Sequence, residues 1–177
     1  MQKEYKAVFL DKDGTIVDNS GYPYIVPTDQ VLINDIIEGL QYLQKKGYKL
    51  FIISNQSWIS KGRLSQEQVE VIFQSVFKKL KEYDIKIAGH YYCPHKKSED
   101  CECRKPKTKL ILQAAAEHSL NLNESIFIGD MEVDISAGRN AGMKTVLVLT
   151  GMGSKYNSKI KPDHVIKNVN QINEVIR

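Results

Sequence analysis

Two carboxylates stand one residue apart directly after a short apolar run near the start of the chain. Asp11 and Asp13 follow residues 7–10, a run that is too short for a core helix and typical of a buried strand. Alternate residues of an extended chain point to the same side, so the two carboxylates can aim at one point. Gly14 then allows a sharp turn. A carboxylate pair of this kind predicts a metal site, an acid/base pair, or both.

Two more apolar runs end in polar residues that could act with this pair. Residues 50–53 lead into Ser54, and residues 125–128 lead into Asp130. Continuous apolar runs that alternate with helices are typical of a parallel sheet covered on both faces. Because ligands bind outside the carboxyl ends of such strands, we expect these polar residues to share one crevice with the carboxylate pair.

The predicted fold is a single α/β domain over residues 1–177, with a Rossmann-like parallel sheet and helices on both faces. Residues 16–33 contain two prolines and are predicted to form an irregular loop beside the site. Apolar runs and the helical spacing of apolar residues predict the regular elements. Strands are predicted over residues 7–10, 50–53, 85–92, 125–128, 145–149 and 164–166, and helices over residues 34–46, 65–83, 109–119, 133–141 and from residue 170 onward.

The side chains at the predicted strand ends fit phosphoryl transfer. Asp11, Asp13 and Asp130 are oxygen donors of the kind that hold Mg²⁺. Ser54 offers a hydrogen-bond donor, and Lys105 brings a positive charge that can neutralise phosphoryl oxygens. One carboxylate can attack phosphorus to give an aspartyl-phosphate, and the second can protonate the leaving oxygen.

Each of these signals has a simpler explanation when it is taken alone. An Asp-x-Asp-Gly sequence is often a turn, and Ser54-Asn55 is often a strand-end turn or a helix cap. Asp130 with Asp134 is often a helix N-terminus with favourable acids. The occurrence of all three at the ends of predicted strands, in this order, favours the functional interpretation.

A second metal site is predicted in residues 93–107, a polar stretch inserted before the third predicted helix. All three cysteines of the chain fall here, and together with one histidine they form a complete tetrahedral set for Zn²⁺. A site with four protein ligands has no open position for substrate, so we predict a structural role. The alternative is three free cysteines beside an unrelated histidine. The predicted zinc ligands are Cys93, His95, Cys101 and Cys103.

Four short motifs resemble those of the haloacid dehalogenase-like (HAD) phosphatases. Residues 9–15, Phe-Leu-Asp-Lys-Asp-Gly-Thr, resemble the first motif, and residues 129–134, Gly-Asp-Met-Glu-Val-Asp, resemble the fourth. Ser54 and Lys105 resemble the second and third motifs. The resemblance implies a HAD-like fold with a minimal cap and a Mg²⁺ cofactor. It implies that Asp11 is the nucleophile and that Asp13 is the general acid/base. It also implies that Ser54 and Lys105 bind the phosphoryl group. The implied Mg²⁺ ligands are Asp11, the Asp13 backbone carbonyl and Asp130, and Asp134 supports the metal or Lys105 from behind.

The predicted zinc loop, residues 93–107, narrows the resemblance to two groups of this superfamily. A zinc loop followed by Arg-Lys-Pro resembles both the heptose 1,7-bisphosphate 7-phosphatases and the histidinol-phosphate phosphatases. Residues 55–57, Asn-Gln-Ser, resemble the heptose group, although Trp58 and Met131 depart from its usual residues. The expected activity is Mg²⁺-dependent removal of the 7-phosphate of D-glycero-D-manno-heptose 1,7-bisphosphate, with histidinol phosphate as the alternative substrate. The resemblance implies further substrate contacts from Asn19, Tyr22, Asn55, Gln56 and Arg104.

Composition and charge fit an enzyme that acts on a small phosphorylated metabolite. The chain has 177 residues and a net charge of +4, which is mild. No apolar run approaches the roughly 20 residues that span a bilayer, and the N-terminus lacks a signal-peptide pattern, so we expect a cytoplasmic protein without membrane partners. A zinc-knuckle nucleic-acid binding module is the alternative of another class, but residues 93–110 lack the aromatic residues that stack on bases. We expect no nucleic-acid partner, and a monomer.

Overall fold

A six-stranded parallel sheet forms the centre of the computed structural model, which describes residues 4–20 and 30–176. The strand order is β3-β2-β1-β4-β5-β6, so the chain moves outward from β1 first to one edge and then to the other. All neighbouring strands run parallel. The strands are β1 (Ala7–Leu10), β2 (Lys49–Asn55), β3 (Ile87–Cys93), β4 (Ile126–Gly129), β5 (Lys144–Val148) and β6 (His164–Ile166).

Helices cover both faces of the sheet. Side chains of the first, second and fifth helices join one buried apolar cluster, and side chains of the third and fourth join the other. The second helix begins with a reciprocal capping box, in which the Ser65 and Gln68 side chains bond each other's backbone N–H groups. The helices are α1 (Ile37–Lys45), α2 (Gln66–Lys81), α3 (Lys109–His118), α4 (Glu132–Asn140) and α5 (Ile172–Val175).

The central strand β1 is buried on both sides, which explains why it has no polar residue. Val8 and Leu10 face one cluster, and Ala7 and Phe9 face the other, as the period of two of a strand requires. The Phe9 ring stacks on Phe51 of β2 with ring centroids 5.5 Å apart. With both faces closed, the ends of the strands are where a polar site can form.

The predicted α/β fold with a parallel sheet is confirmed, and the element bounds differ in ways that have physical causes. The first helix begins at Ile37 rather than residue 34 because Asp35 has a left-handed backbone, with φ of 60°. Strand β2 extends to Asn55, two residues beyond its apolar run, because Ser54 and Asn55 still pair with β3. Of the predicted loop over residues 16–33, residues 21–29 lie outside the described part of the chain. Among the described residues no helix is long and apolar enough to cross a membrane.

Candidate active site

Three neighbouring strands bring the predicted polar residues to one edge of the sheet. β1 lies between β2 and β4, and Asp11, which follows β1, donates its backbone N–H to the Ile128 carbonyl of β4 at 3.0 Å. Ser54 is the last residue but one of β2 on one side, and Asp130 follows β4 on the other. The parallel order of these strands is therefore what places residues from distant parts of the sequence around Asp11.

Lys105 joins the carboxylates into one charged cluster. Its Nζ lies 2.5 Å from Asp11 Oδ1 and 2.7 Å from Asp134 Oδ1, and it donates to the Ile53 carbonyl at 2.7 Å. Lys105 is 3% exposed. Burial disfavours the ammonium, but the Asp11 and Asp134 carboxylates outweigh it and raise the pKa of Lys105 above its usual value. The lysine therefore stays charged at the centre of the site.

Asn55 holds the backbone of Lys105. The Asn55 Oδ1 accepts from the Lys105 N–H at 3.0 Å, and its Nδ2 donates to the Lys105 carbonyl at 3.3 Å. This contact ties the end of β2 to the loop that carries the lysine. The sequence suggested only a substrate contact for Asn55, because side-chain bonds to a backbone fifty residues away leave no sequence signal.

Asp13 is held from two sides. Gln56 Nε2 donates to Asp13 Oδ2 at 3.0 Å and to Ser54 Oγ at 2.7 Å. The ammonium of Lys12 forms an ion pair with Asp13 Oδ1, and Lys12 is almost completely buried. Sequence reasoning gave no role to Lys12. The Asp13 side chain itself remains 27% exposed, so a substrate or a water molecule can reach it.

One carboxylate oxygen of Asp130 lies against two glycines, and the other has no hydrogen-bond partner among the described residues. Its Oδ2 accepts from the Met152 N–H at 2.7 Å. A Cβ at Gly14 would lie 2.3 Å from that oxygen, and a Cβ at Gly151 would lie 2.2 Å from it. Its Oδ1 is buried and has no hydrogen-bond partner among the described residues. Residues 151–152 had no part in the site predicted from the sequence.

These residues fit a divalent cation. Carboxylate oxygens of Asp11, Asp130 and Asp134 lie within 4.8 Å of one another, and one lysine offsets the charge of the three. Burial, more than the neighbouring carboxylates, raises the pKa of Asp11 to about 8 against the opposing effect of Lys105. Burial also raises the pKa of Asp130 to about 6. A buried excess of negative charge with a free carboxylate oxygen is the environment that Mg²⁺ stabilises.

Asp134 is the member of this cluster least free to bind a metal. Its Oδ2 accepts from the Met131 N–H at 3.0 Å and caps α4, while its Oδ1 pairs with Lys105. The cluster thus leaves Asp11 and Asp130 as the carboxylates with room for an ion. The Asp13 side chain is not part of this cluster.

The four predicted zinc ligands converge. The Cys93 Sγ lies 3.4 Å from Cys101 Sγ, and Cys101 Sγ lies 3.5 Å from Cys103 Sγ. His95 Nδ1 lies 3.3 Å from Cys103 Sγ. Thiolates at tetrahedral Zn²⁺ are about 3.8 Å apart for Zn–S bonds of about 2.3 Å, so this donor set fits zinc.

Backbone bonds connect the zinc loop to the residues around Asp13. The Gln56 N–H donates to the Cys93 carbonyl at 2.7 Å, and the Ser60 N–H donates to the Pro94 carbonyl at 3.1 Å. Arg104 Nη1 donates to the His95 carbonyl at 3.0 Å. A metal that fixes the zinc loop therefore also fixes the segment that follows β2.

The structure describes some, but not all, of the residues that the resemblance implies as further substrate contacts. Asn19 lies on the wall of a cavity of about 640 Å³, which Thr150 and Met152 also line next to the carboxylate cluster. Tyr22 lies outside the described residues. Trp58, one of the departures from the heptose pattern, carries the Arg63 guanidinium over its ring at 4.5 Å.

A buried carboxylate after the central strand, which pairs with a lysine from a distant loop and belongs to a cluster that could hold a metal ion, is the arrangement expected of a HAD-like phosphatase. The sequence model of the HAD-hydrolase-like family matches residues 102–172. The solved structure of D,D-heptose 1,7-bisphosphate phosphatase from B. bronchiseptica, complexed with magnesium and phosphate, has the same fold, with a TM-score of 0.87, 22% identity and 97% of each chain covered.

Curated relatives narrow the class to one family. The D-glycero-beta-D-manno-heptose-1,7-bisphosphate 7-phosphatase of Haemophilus influenzae is 36% identical over 97% of this chain and 97% of its own. The enzyme of the same name from Helicobacter pylori strain 26695 is 43% identical over 81% of this chain and 83% of its own. The D-glycero-alpha-D-manno-heptose-1,7-bisphosphate 7-phosphatase of Campylobacter jejuni is 39% identical over 81% and 82%. The chain belongs to the heptose 1,7-bisphosphate 7-phosphatase family of HAD-like hydrolases.

Proposed function

We propose that the protein is a Mg²⁺-dependent phosphatase that removes the 7-phosphate of D-glycero-D-manno-heptose 1,7-bisphosphate. The observation that carries this proposal is the buried Asp11 carboxylate, held 2.5 Å from Lys105 within the carboxylate cluster. The names of the relatives supply the substrate, in both anomeric forms. They do not favour the histidinol-phosphate alternative.

Asp11 acts first, as the nucleophile. One of its carboxylate oxygens attacks phosphorus, and the bond between phosphorus and the C7 oxygen breaks. Asp13, held by Gln56 and Lys12, gives its proton to that leaving oxygen. The products of this step are the heptose 1-phosphate and a phosphoryl group on Asp11.

Asp13 then acts in the reverse direction. It accepts a proton from a water molecule that attacks the phosphorus of the aspartyl-phosphate, and the bond to Asp11 breaks. Inorganic phosphate leaves, and Asp11 returns to its carboxylate form. The exposed face of the Asp13 side chain gives both the leaving oxygen and the water access to the same group.

Residues around Asp11 balance the negative charge of the phosphoryl group. Lys105 and the Ser54 hydroxyl contact phosphoryl oxygens, and Asp134 keeps Lys105 in place. When bound by Asp11, the Asp13 backbone carbonyl and Asp130, Mg²⁺ supplies further positive charge against the phosphoryl oxygens. Asn19, Tyr22, Asn55 and Arg104 are proposed to contact the sugar and its second phosphate.

Zn²⁺ in the Cys93 loop has a structural role in this proposal. It orders the segment that delivers Lys105 and Arg104 and does not contact substrate. We further propose a single domain over residues 1–177, a cytoplasmic location, a monomeric state and no nucleic-acid partner.

Phosphate release with both anomers of heptose 1,7-bisphosphate, measured against histidinol phosphate, tests the substrate. The proposal expects a heptose bisphosphate to be the better substrate by kcat/KM and expects heptose 1-phosphate as product. Asp11→Asn is the inactive control. Faster hydrolysis of histidinol phosphate would favour that alternative. Salt-dependent oligonucleotide binding that Asp11→Asn leaves unchanged, without phosphate release by the wild type, would favour the zinc-knuckle alternative.

A further inference from the structure

Gln56 lies between the side chain that contacts the phosphoryl group and the side chain that handles the proton. One atom, Nε2, is 3.0 Å from Asp13 Oδ2 and 2.7 Å from Ser54 Oγ. Gln56 is 3% exposed, so water does not compete strongly for these bonds. Until Asp13 takes up the proton that it gives to the leaving oxygen, its carboxylate pairs with the Lys12 ammonium and only accepts, so the atom that faces it is the amide nitrogen and not the carbonyl oxygen.

The same contact fixes the direction of the Ser54 hydroxyl. An amide nitrogen does not accept hydrogen bonds, so Ser54 Oγ accepts from Gln56 and its own hydrogen points away from it. Within residues 4–20 and 30–176, Gln56 is the one hydrogen-bond partner of this hydroxyl. Ser54 is 1% exposed, so its hydroxyl hydrogen is a buried donor that no described residue uses.

We propose that Gln56 is a positioning residue that sets Ser54 as a donor to the phosphoryl group and holds Asp13 beside the leaving oxygen. One amide hydrogen occupies a lone pair of Ser54 Oγ and thereby directs the hydroxyl hydrogen at a phosphoryl oxygen. The other amide hydrogen fixes the Asp13 carboxylate. This inference rests on the proposed phosphatase function. It replaces the direct substrate contact that the family resemblance implies for Gln56.

Two substitutions of Gln56 release Asp13 and differ in what they do to the Ser54 hydroxyl. In Gln56→Glu the new carboxylate only accepts, so the Ser54 hydroxyl turns toward it and is lost to the phosphoryl group. We expect inorganic phosphate, measured as a competitive inhibitor in saturating Mg²⁺, to bind roughly tenfold more weakly, as in Ser54→Ala. In Gln56→Met the side chain neither donates nor accepts strongly, so Ser54 can still donate. There we expect a loss of phosphate affinity much smaller than that of Gln56→Glu, because Ser54 is no longer directed but can still donate, and a reduced kcat, because Asp13 is no longer held.

A double-mutant cycle tests whether Gln56 acts through Ser54. In the Ser54→Ala background, Gln56→Glu should cause no further loss of phosphate affinity. The matched control is Gln66→Glu, the same chemical change at an exposed position at the start of α2, which should leave phosphate affinity unchanged. Thermal unfolding of each variant identifies any that do not fold, and Gln56→Met with Ser54→Ala still tests the proposal if Gln56→Glu is among them.

Two results would overturn this inference while leaving the phosphatase proposal intact. One is an additive loss of phosphate affinity for Gln56→Glu in the Ser54→Ala background. The other is an equal loss for Gln56→Met and Gln56→Glu, which a merely structural role would produce. A wild-type protein that neither binds inorganic phosphate nor releases it from any phosphate ester would instead overturn the proposed function, and this inference with it.

Discussion

Lys105 is the residue on which the site's charge depends. It is the partner of both Asp11 and Asp134, and burial alone would discharge it. Those two carboxylates keep it charged, and it in turn keeps them close together. An attacking carboxylate and a negatively charged phosphoryl group can meet only where such positive charge is already fixed in place.

In the proposed mechanism Asp13 transfers protons and does not bind phosphate, so a change at this residue should affect turnover and not phosphate affinity. We expect Asp13→Asn to keep phosphate affinity near that of the wild type and to lower kcat by roughly 100- to 10,000-fold, because an amide can accept a hydrogen bond but cannot donate and recover a proton. Steady-state kinetics with phosphate inhibition measures both quantities. Near-normal turnover would remove Asp13 as the acid/base.

Substitution of a glycine beside Asp130 tests whether this carboxylate binds Mg²⁺. We expect Gly151→Ala to raise the Mg²⁺ concentration needed for half-maximal turnover, because the added Cβ would lie 2.2 Å from Asp130 Oδ2. Gly62→Ala is the matched control, because Gly62 also has a positive φ, 67° against 53° at Gly151, but has nothing within 4 Å of the added Cβ. Both changes carry a backbone cost of about 1 kcal/mol, but only Gly151→Ala should shift the Mg²⁺ concentration needed for activity. Equal shifts for the two variants would contradict the proposed role of Asp130.

At the scale of elements, β2 and the zinc loop behave as one unit. Asn55 at the end of β2 bonds both backbone groups of Lys105, and the Gln56 N–H bonds the Cys93 carbonyl. The loop thus reaches the site through fixed backbone contacts. Through these contacts, a zinc ion held by four protein ligands would influence catalysis without contacting substrate.

Loss of zinc should therefore loosen residues 93–109 and weaken substrate binding. We expect Cys101→Ser, or chelation in excess Mg²⁺, to speed hydrogen exchange in this segment at least about tenfold and to raise KM more than it lowers kcat. Ser98→Ala, in the same loop but outside the ligand set, is the control. Unchanged exchange after metal analysis has verified the loss of zinc would contradict this role.

At the scale of the whole molecule, the sequence predicted the sheet and the centre of the site for the same reason. Strands that are buried on both faces are apolar throughout, so Asp11, Ser54 and Asp130 stand out where those strands end. The order of parallel strands then places them together. The family motifs added Lys105, which no periodicity could have connected to Asp11.

Two of the contacts that the sequence did not indicate join distant segments through side chains and backbone amides. The Met152 N–H on Asp130 and the Asn55 amide on the Lys105 backbone depend on the exact path of loops. Lys12 was overlooked because a lysine between two carboxylates is expected to be exposed, whereas here it is buried against Asp13. Local patterns carry no information about such contacts.

The central claim is that the phosphoryl group passes through Asp11, and an acid-quenched reaction tests it most directly. The protein is mixed with heptose 1,7-bisphosphate and Mg²⁺, quenched within a single turnover, and its peptides are analysed by mass spectrometry. The account predicts one phosphoryl group on the peptide that contains Asp11, and none in Asp11→Asn. Phosphate release without any phosphorylated peptide, or a phosphoryl group on a different peptide, would contradict it.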